Sequence, residues 1–422
     1  MTRNIIKTTS MRNKLLITLL LCLFAAIIIF SLRGFATFEY VKHIQNSGKT
    51  EVSTDIVTYE YTDQDGKRRV FAFDNSWKDK TYEMFALSND RAVSLVQKNG
   101  NAFYSATLPA GNNGVTFIAT RGDEITKKAI DISQKTTRAS GPFFGAKFYV
   151  PDHGEMDRLI QNGEAPEISE IRNQPRAVWL GAGENTAEEI KEVMKEANVS
   201  QATPVFVIYY ASLFPCGKKT TSEWNEMTKD YFAWLLEFRR NIGGGTAIVI
   251  LEPDALSYKS CIYEDPAETN IIGRAVSILK NKDANLHVYI DAGHSGWVPA
   301  KEMSERLVSA HIGEANGISL NVSNFTRTED NIVYGMEISS FIGKTPFVID
   351  TSRNGNGPDE NNEWCNPRRR ALGENPTGNT GHELADAYLW IKIPGESDGD
   401  CNGGPEEGIF WKDYALELIR NR

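Results

Sequence analysis

Cysteine and histidine are scarce in this chain, with five and six respectively among 422 residues, and neither type falls into a metal-site pattern. No pair of cysteines has the close spacing of a structural zinc site, and the three His or His/Glu ligands of a catalytic zinc are missing. No G-x-S-x-G elbow or Walker sequence occurs, which removes the common serine-hydrolase and phosphate-cradling chemistries. Internal repeats and low-complexity tracts are absent as well. Positive charge is short overall: the formal net charge is −9. Residues 1–33 hold Arg3, Lys7, Arg12, Lys14 and Arg33 and no acid, so the remainder carries −14. An acidic body of that kind does not suit nucleic acid.

What is present begins with Leu15–Leu32, eighteen residues without a charge. As a helix this run spans roughly 27 Å, close to a thin bilayer core. A cleaved signal peptide is the competing reading, with Gly34-Phe35-Ala36 as a weak cleavage site interrupted by Arg33. The expectation is a retained anchor. Basic residues on its amino side make 1–14 a cytoplasmic tail and turn everything after Arg33 outward, as in a single-pass type II membrane protein. Secretion after cleavage is the alternative. Cys22 lies in the anchor, and Cys216, Cys261, Cys365 and Cys401 are an even number in an oxidising compartment, with three possible pairings.

After a juxtamembrane connector at 33–50, residues 51–133 fall into short alternating runs such as VTYEYTD, RRVFAFD, AVSLVQK, AFYSATL and GVTFIAT, broken by Asp65-Gly66 and Asn99-Gly100. That texture predicts a small antiparallel β-sandwich. Trp77, Tyr82, Phe103 and Tyr104 are either its core or an aromatic face for sugars, and the stretch faintly resembles a carbohydrate-binding module. A polar linker, 134–140, follows. From Gly141 onward apolar runs alternate with helical stretches. The runs are Ala177–Leu180, Pro204–Tyr210, Ala247–Leu251, His287–Ile290, Gly317–Leu320, Pro346–Ile349 and Ala387–Ile393. This alternation predicts an α/β fold with a parallel sheet closed, or nearly closed, into a barrel.

The run TAIVILEPD, Thr246–Asp254, is central. Its β-branched residues suit a strand buried on both faces, and Glu252 and Asp254 stand at the carboxyl end, where α/β sheets and barrels hold ligands. They are either a turn cap and a solvated acid or a pair used for chemistry. The other strand ends bring Trp179, Tyr209, Asp291 with His294 and Trp297, Asn321 and Asn324, and Lys392 with Glu396 and Asp398. Carboxylates supply acid and base, aromatic faces stack on pyranose rings, and amides bond hydroxyls. That inventory fits glycoside hydrolysis, in which two carboxyl groups flank the scissile bond. It calls for no cofactor and no metal.

GPFFGAKFYV (Gly141–Val150), AVWL, ILEPDAL, YIDAGHSGW, NVSNF, WCN, NTG and WIKIPGESDG, taken in order, resemble glycoside hydrolase family 6, the endoglucanases and cellobiohydrolases that cleave β-1,4-glucan. The resemblance covers about 141–422. It implies a distorted seven-stranded α/β barrel and an inverting mechanism. On that likeness Asp254 falls on the general acid and Asp398 on the candidate base. Asp291, Lys392 and Glu396 match polar site residues, with His294 on the same rim. Asn324 matches a substrate-binding amide, Trp179, Trp297 and Trp364 match sugar platforms, and Tyr209 the tyrosine that presses on the distorted ring. It further implies Cys216–Cys261 and Cys365–Cys401 disulfides.

One position departs from the family pattern. The family's helper aspartate before the cysteine is Pro215 here, followed by Lys218 and Lys219. Without a like charge to hold its proton, Asp254 is left closer to its ionised form. A weak enzyme, a shifted pH optimum and a glucan-binding protein without turnover all follow as readings. Short segments at Cys216–Trp224 and Cys401–Trp411 imply an open cleft and internal chain cleavage. Sequons stand at Asn198, Asn321 and Asn324; a glycan is expected at Asn198 and excluded at Asn324, where it would block the cleft.

Overall fold

The computed structural model describes the strands between 57 and 131 and most of 141–422. Residues 1–56, 132–140, 182, 184–185, 212–213, 215–220, 259–265 and 282–284, with the turns between the first eight strands, lie outside the described residues. The anchor, the connector, the linker, Trp77, Tyr82, Pro215, Cys216 and Cys261 therefore fall outside them too. Among the described residues no helix is long and apolar enough to cross a membrane. The chain divides into two compact units, with the boundary after Thr136.

The first unit holds β1 (Val57–Thr62), β2 (Arg68–Phe73), β3 (Glu83–Ser88), β4 (Arg91–Ala92), β5 (Leu95–Lys98), β6 (Phe103–Thr107), β7 (Gly114–Arg121) and β8 (Glu124–Asp131). They make two four-stranded antiparallel sheets, ordered β1-β2-β6-β5 and β4-β3-β7-β8. The sequence reading names neither β3 nor β8. In β8 the pair Lys127-Lys128 breaks the apolar alternation, and pairing with all eight residues of β7 supplies the order that the pattern lacks.

The second unit is a single parallel sheet. Its strands are β9 (Val178–Leu180), β10 (Val205–Ile208), β11 (Ala247–Leu251), β12 (Leu286–Asp291), β13 (Gly317–Leu320), β14 (Phe347–Asp350) and β15 (Ala385–Leu389). They lie in strict sequence order, so each helical crossover joins neighbours. The helices include α1 (Gly154–Gln161), α2 (Ser169–Arg172), α3 (Thr186–Ser200), α4 (Thr221–Ile242), α5 (Pro266–Lys280), α6 (Ala300–Ser309), α7 (Thr328–Ile342) and α8 (Lys412–Arg420). The expected barrel, closed or nearly closed, is here a curled half-barrel. No ladder joins β9 to β15; a backbone bond from Ala177 N to Trp390 O, 3.0 Å, spans the gap.

All five residues of β11 are buried, as strands covered on both faces must be. Alternation sends Val205, Val207, Ile248, Ile250, Tyr289, Val348, Ala387, Leu389 and Ile391 into one interior cluster with Phe143 and Phe148. Each fully buried aliphatic there contributes about 1.5–3 kcal/mol. The same alternation, continued one step past the apolar rows, brings Trp179, Tyr209, Asp291 and Asp350 to the inner rim at the strands' carboxyl ends. A chain that fills a half-barrel with Val and Ile thus presents its next inward residue to the open mouth.

Candidate active site

Asp254 stands just past β11, in a turn with two left-handed non-glycine residues, Glu252 (φ 50°) and Asp254 itself (φ 72°). Such conformations cost about 1–3 kcal/mol each and persist only when the surroundings enforce them. Here they do. The Glu252 carboxylate is 1 % exposed and accepts the Tyr210 N–H at 3.0 Å. The Asp254 N–H donates to Asp291 Oδ2 at 3.1 Å. From below, the buried Arg306 guanidinium bonds the carbonyls of Leu256 and Ser257 and pairs with Glu302.

Asp291 is itself buried, and also accepts Gly293 N–H (3.1 Å) and Ser319 Oγ–H (3.2 Å). Loss of water, and then the charge of Asp254, push Asp291 up to about 7, against those hydrogen bonds. Asp254 is pushed up to about 6, first by burial and then by the Glu407 carboxylate. A carboxyl that keeps its proton to that pH can donate it near neutrality. Tyr209 lies beside these acids, its phenol raised to about 12 by burial and by Asp254. Its ring meets Trp179 edge-on at 5.7 Å, and Trp179 Nε1 donates to Ile391 O at 2.8 Å.

The second group gathers after β14 and β15. Asp398 accepts from Arg353 Nη1 (2.8 Å) and from the Asn366 N–H (3.0 Å), with Lys392 Nζ at 3.9 Å. Its side chain is 5 % exposed, and Arg353 is fully buried. Lys392 also lies 3.9 Å from Glu396, which stands 3.9 Å from His153. Burial and the neighbouring Arg353 lower the Lys392 ammonium from its usual value. The Cys365–Cys401 disulfide is present, Cα–Cα 6.2 Å, and holds the Trp364 loop against the Asp398 segment. Cys216–Cys261 lies outside the described residues.

A third group follows β12 and β13. His294 Nδ1 accepts the Gly296 N–H at 3.2 Å and lies 3.2 Å from Thr326 Oγ1, which assigns its proton to Nε2. Burial lowers it to about 4, so it is neutral at working pH. Trp297 (39 % exposed) packs beside His294 at 5.7 Å, and Trp364 is 61 % exposed. Asn324 is half-buried, its Oδ1 accepting the Phe325 N–H.

Sequence reasoning missed several residues that fix these groups. The buried Asp350 carboxylate gathers the N–H groups of Ser323, Ser352, Ile391 and Lys392 at 2.9–3.2 Å, tying the ends of β13, β14 and β15 together. Asn321, expected on the rim, is fully buried and donates to Asp350 O at 2.8 Å. Arg353, Arg306 and Asn366 were passed over, as was Tyr258, an exposed ring 6.4 Å from Trp297. The signal for Asp350 was available: its strand ends VID-T-S-R, an apolar run closed by an acid, just as β11 does.

Comparison with known proteins agrees with the half-barrel fold of the second unit. The family model described as Glycosyl hydrolases family 6 matches residues 148–422. Endoglucanase A of Cellulomonas fimi is 39% identical over 280 residues, covering 65% of this chain and 61% of the relative. Endoglucanase A of Thermobispora bispora is 37% identical over 291 residues, covering 66% and 63%. The chain thus spans a little under two thirds of the length of these two relatives. Among solved structures, the endoglucanase Cel6 from Mycobacterium tuberculosis, in complex with methyl-cellobiosyl-4-deoxy-4-thio-β-D-cellobioside, is similar at 36% identity and TM-score 0.60, covering 67% of this chain and 99% of that one. A seven-stranded half-barrel with acids at its carboxyl rim, matched in sequence along nearly its whole second unit, places this chain in glycosyl hydrolase family 6.

Proposed function

We propose that this protein is a membrane-anchored inverting glycoside hydrolase that cuts internal β-1,4-glucosidic bonds of cellulose-like glucan. Asp254 is the general acid and Asp398 the candidate base. The observation that carries the reading is Asp254 itself: a strand-end carboxyl whose proton is retained to about pH 6, on the same rim as an oriented Asp398. Protonating the glycosidic oxygen is the task of such an acid, while the second carboxylate directs water to the opposite face. Trp179, Tyr209, Trp297 and Trp364 offer rings to successive sugars, and Asp291, His294, Asn324, Lys392 and Glu396 offer polar contacts. The names of the relatives above, and the thio-oligosaccharide held by one of them, support the substrate class.

The same reading makes Leu15–Leu32 a signal anchor, with the body facing outward, and 51–133 a β-sandwich module whose aromatic residues serve either as its core or as a face for sugars. Secretion after cleavage is the alternative for the anchor. An outward position predicts that, in a host that N-glycosylates, peptide mapping finds a glycan at Asn198, exposed on α3, and none at Asn321 or Asn324. Asn321 has no accessible surface to offer a transferase. A glycan on Asn324 would refute the placement of the cleft.

Pro215 favours a second reading, a glucan-binding protein that has lost turnover. One assay separates the two. The full chain is given soluble β-1,4-glucan while viscosity, reducing ends and the anomer first released are followed. A fast viscosity drop with few new ends and an α-anomeric product support the enzyme. Retained binding with no new ends across pH 4–8 supports the binding protein. Replacing Trp297 by Ala is expected to raise KM by severalfold to tenfold, about 1 kcal/mol of lost stacking, with kcat nearly unchanged. An unchanged KM would remove Trp297 from the substrate path.

A further inference from the structure

Among the described residues four large aromatic side chains are exposed: Phe144, Tyr258, Trp297 and Trp364. Two of them meet. Tyr258, 62 % exposed, has its ring centroid 6.4 Å from that of Trp297, and the two planes cross at 82°. Each is placed by its own backbone. Ser257 N and Tyr258 N both donate to Asp254 O, at 2.9 and 2.8 Å, so Tyr258 stands one turn beyond the general acid. Ala255, Leu256 and Ser257 are buried, and Arg306 bonds the Leu256 and Ser257 carbonyls, which leaves Tyr258 as the exposed residue of that turn. Trp297 N donates to His294 O at 3.1 Å, and its ring packs beside the imidazole. The two turns touch at Gly293, φ 65°, where an added Cβ would collide with Ser257 Oγ and come within 3.4 Å of Trp297 Cε3. A glycine is what lets them approach so closely.

Sheet order gives this corner its place. β11, which leads into Asp254, lies between β10 and β12. The Trp179–Tyr209 pair stands on the β9–β10 side of the acid, and the Tyr258–Trp297 corner on the β12 side. A glucan that crosses both pairs has its cut bond at Asp254. Two coplanar rings side by side would carry successive sugars of a flat chain. Two rings at right angles, this close together, close two sides of one sugar. We propose that Tyr258 is a specificity-determining sugar contact: with Trp297 it encloses a single glucosyl position on the side of Asp254 away from Trp179, one ring on a pyranose face and the other on its edge. The inference rests on the glucanase reading above and adds to it a residue from the acid's own turn. Tyr258 suits the task, because its exposed ring gains by covering the C–H surface of a sugar while its hydroxyl stays wet.

The test uses the full chain with Tyr258→Ala, Tyr258→Phe, Trp297→Ala and the double variant Tyr258→Ala/Trp297→Ala. Phe144→Ala is the control, an exposed ring at the amino end of the sheet, where its neighbour Phe143 packs 4.9 Å from His287 near the start of β12. Two quantities are read on soluble β-1,4-glucan: kcat and KM from reducing ends, and Kd from calorimetry. Tyr258→Ala should raise KM and Kd together about three- to tenfold with kcat within about twofold, the pattern of lost uniform binding. Tyr258→Phe should keep KM within about twofold of the wild type, and Phe144→Ala should change nothing. In the double variant the rise in KM should fall well short of the product of the two single rises, since either loss opens the same sugar position. A full product would put the rings on separate sugars and overturn the enclosure. An unchanged KM in Tyr258→Ala, or a Phe variant as weak as the Ala one, overturns the ring contact while the wild type still cuts glucan. A wild type that binds glucan without cutting it, and binds less tightly in Tyr258→Ala, overturns the glucanase reading and leaves the contact standing. A wild type that does neither overturns both.

Discussion

Asp254→Asn should hydrolyse β-1,4-glucan about 10²–10⁴-fold more slowly than the wild type, with KM little changed. The amide keeps the size of the side chain and removes the proton that the leaving oxygen needs. Binding, which the proposed function assigns to the aromatic rings, is left alone. The wild-type rate should fall above about pH 6, where Asp254 ionises, tenfold for each further pH unit. The residual rate of the variant should lack that basic limb. Folding provides the control. Because the folded value of Asp254 lies above the unfolded value of about 3.9, the stability its proton contributes is complete below about pH 4 and is lost as pH rises through 6. An asparagine never charges, so the variant should melt higher than the wild type at pH 8 while doing almost no chemistry. A folded variant as fast as the wild type would remove Asp254 from the role of acid.

That stability cost explains which parts of the molecule were readable from the chain. The seven strands are legible because a parallel sheet covered on both faces needs unbroken apolar runs, and β11 and β13 match the sequence reading end to end. The rim acids Asp254 and Asp291 are legible for the opposite reason: a carboxylate at the end of such a run is costly and stands out. Asp350 escapes because the apolar run was cut one residue short, at Ile349. Arg353 and Arg306 escape for a different reason. A buried arginine is identified by its partners, and Asp398 lies 45 residues from one, Leu256 50 residues from the other. No local pattern contains such pairings. Closure of the barrel stays open in the sequence, between closed and nearly closed, since strand count and spacing say nothing about whether the first and last strands meet.

The largest stability effect should come from separating Arg353 and Asp398. Arg353→Met leaves Asp398 nearly buried with the Asn366 N–H at 3.0 Å and Lys392 at 3.9 Å as its remaining partners. It also frees the Ser323 carbonyl, which Arg353 Nη2 bonds at 2.5 Å, and removes the guanidinium stacked 4.4 Å over Phe325. Removing one member of a buried pair costs about 3–5 kcal/mol, chiefly because the other charge is left without compensation. Equilibrium denaturation of the variant should show a loss of that size. Arg353→Met/Asp398→Leu should then recover much of the loss, because a matched apolar pair needs no desolvation of charge, and yet it should remain inactive. Arg353→Lys should fall between, keeping the charge without the planar fork. This set of variants distinguishes two accounts of the pair. If it exists to stabilise the fold, the double variant is no more stable than the single one. If it exists to hold a carboxylate in one orientation at the mouth of the half-barrel, stability returns in the double variant and turnover does not.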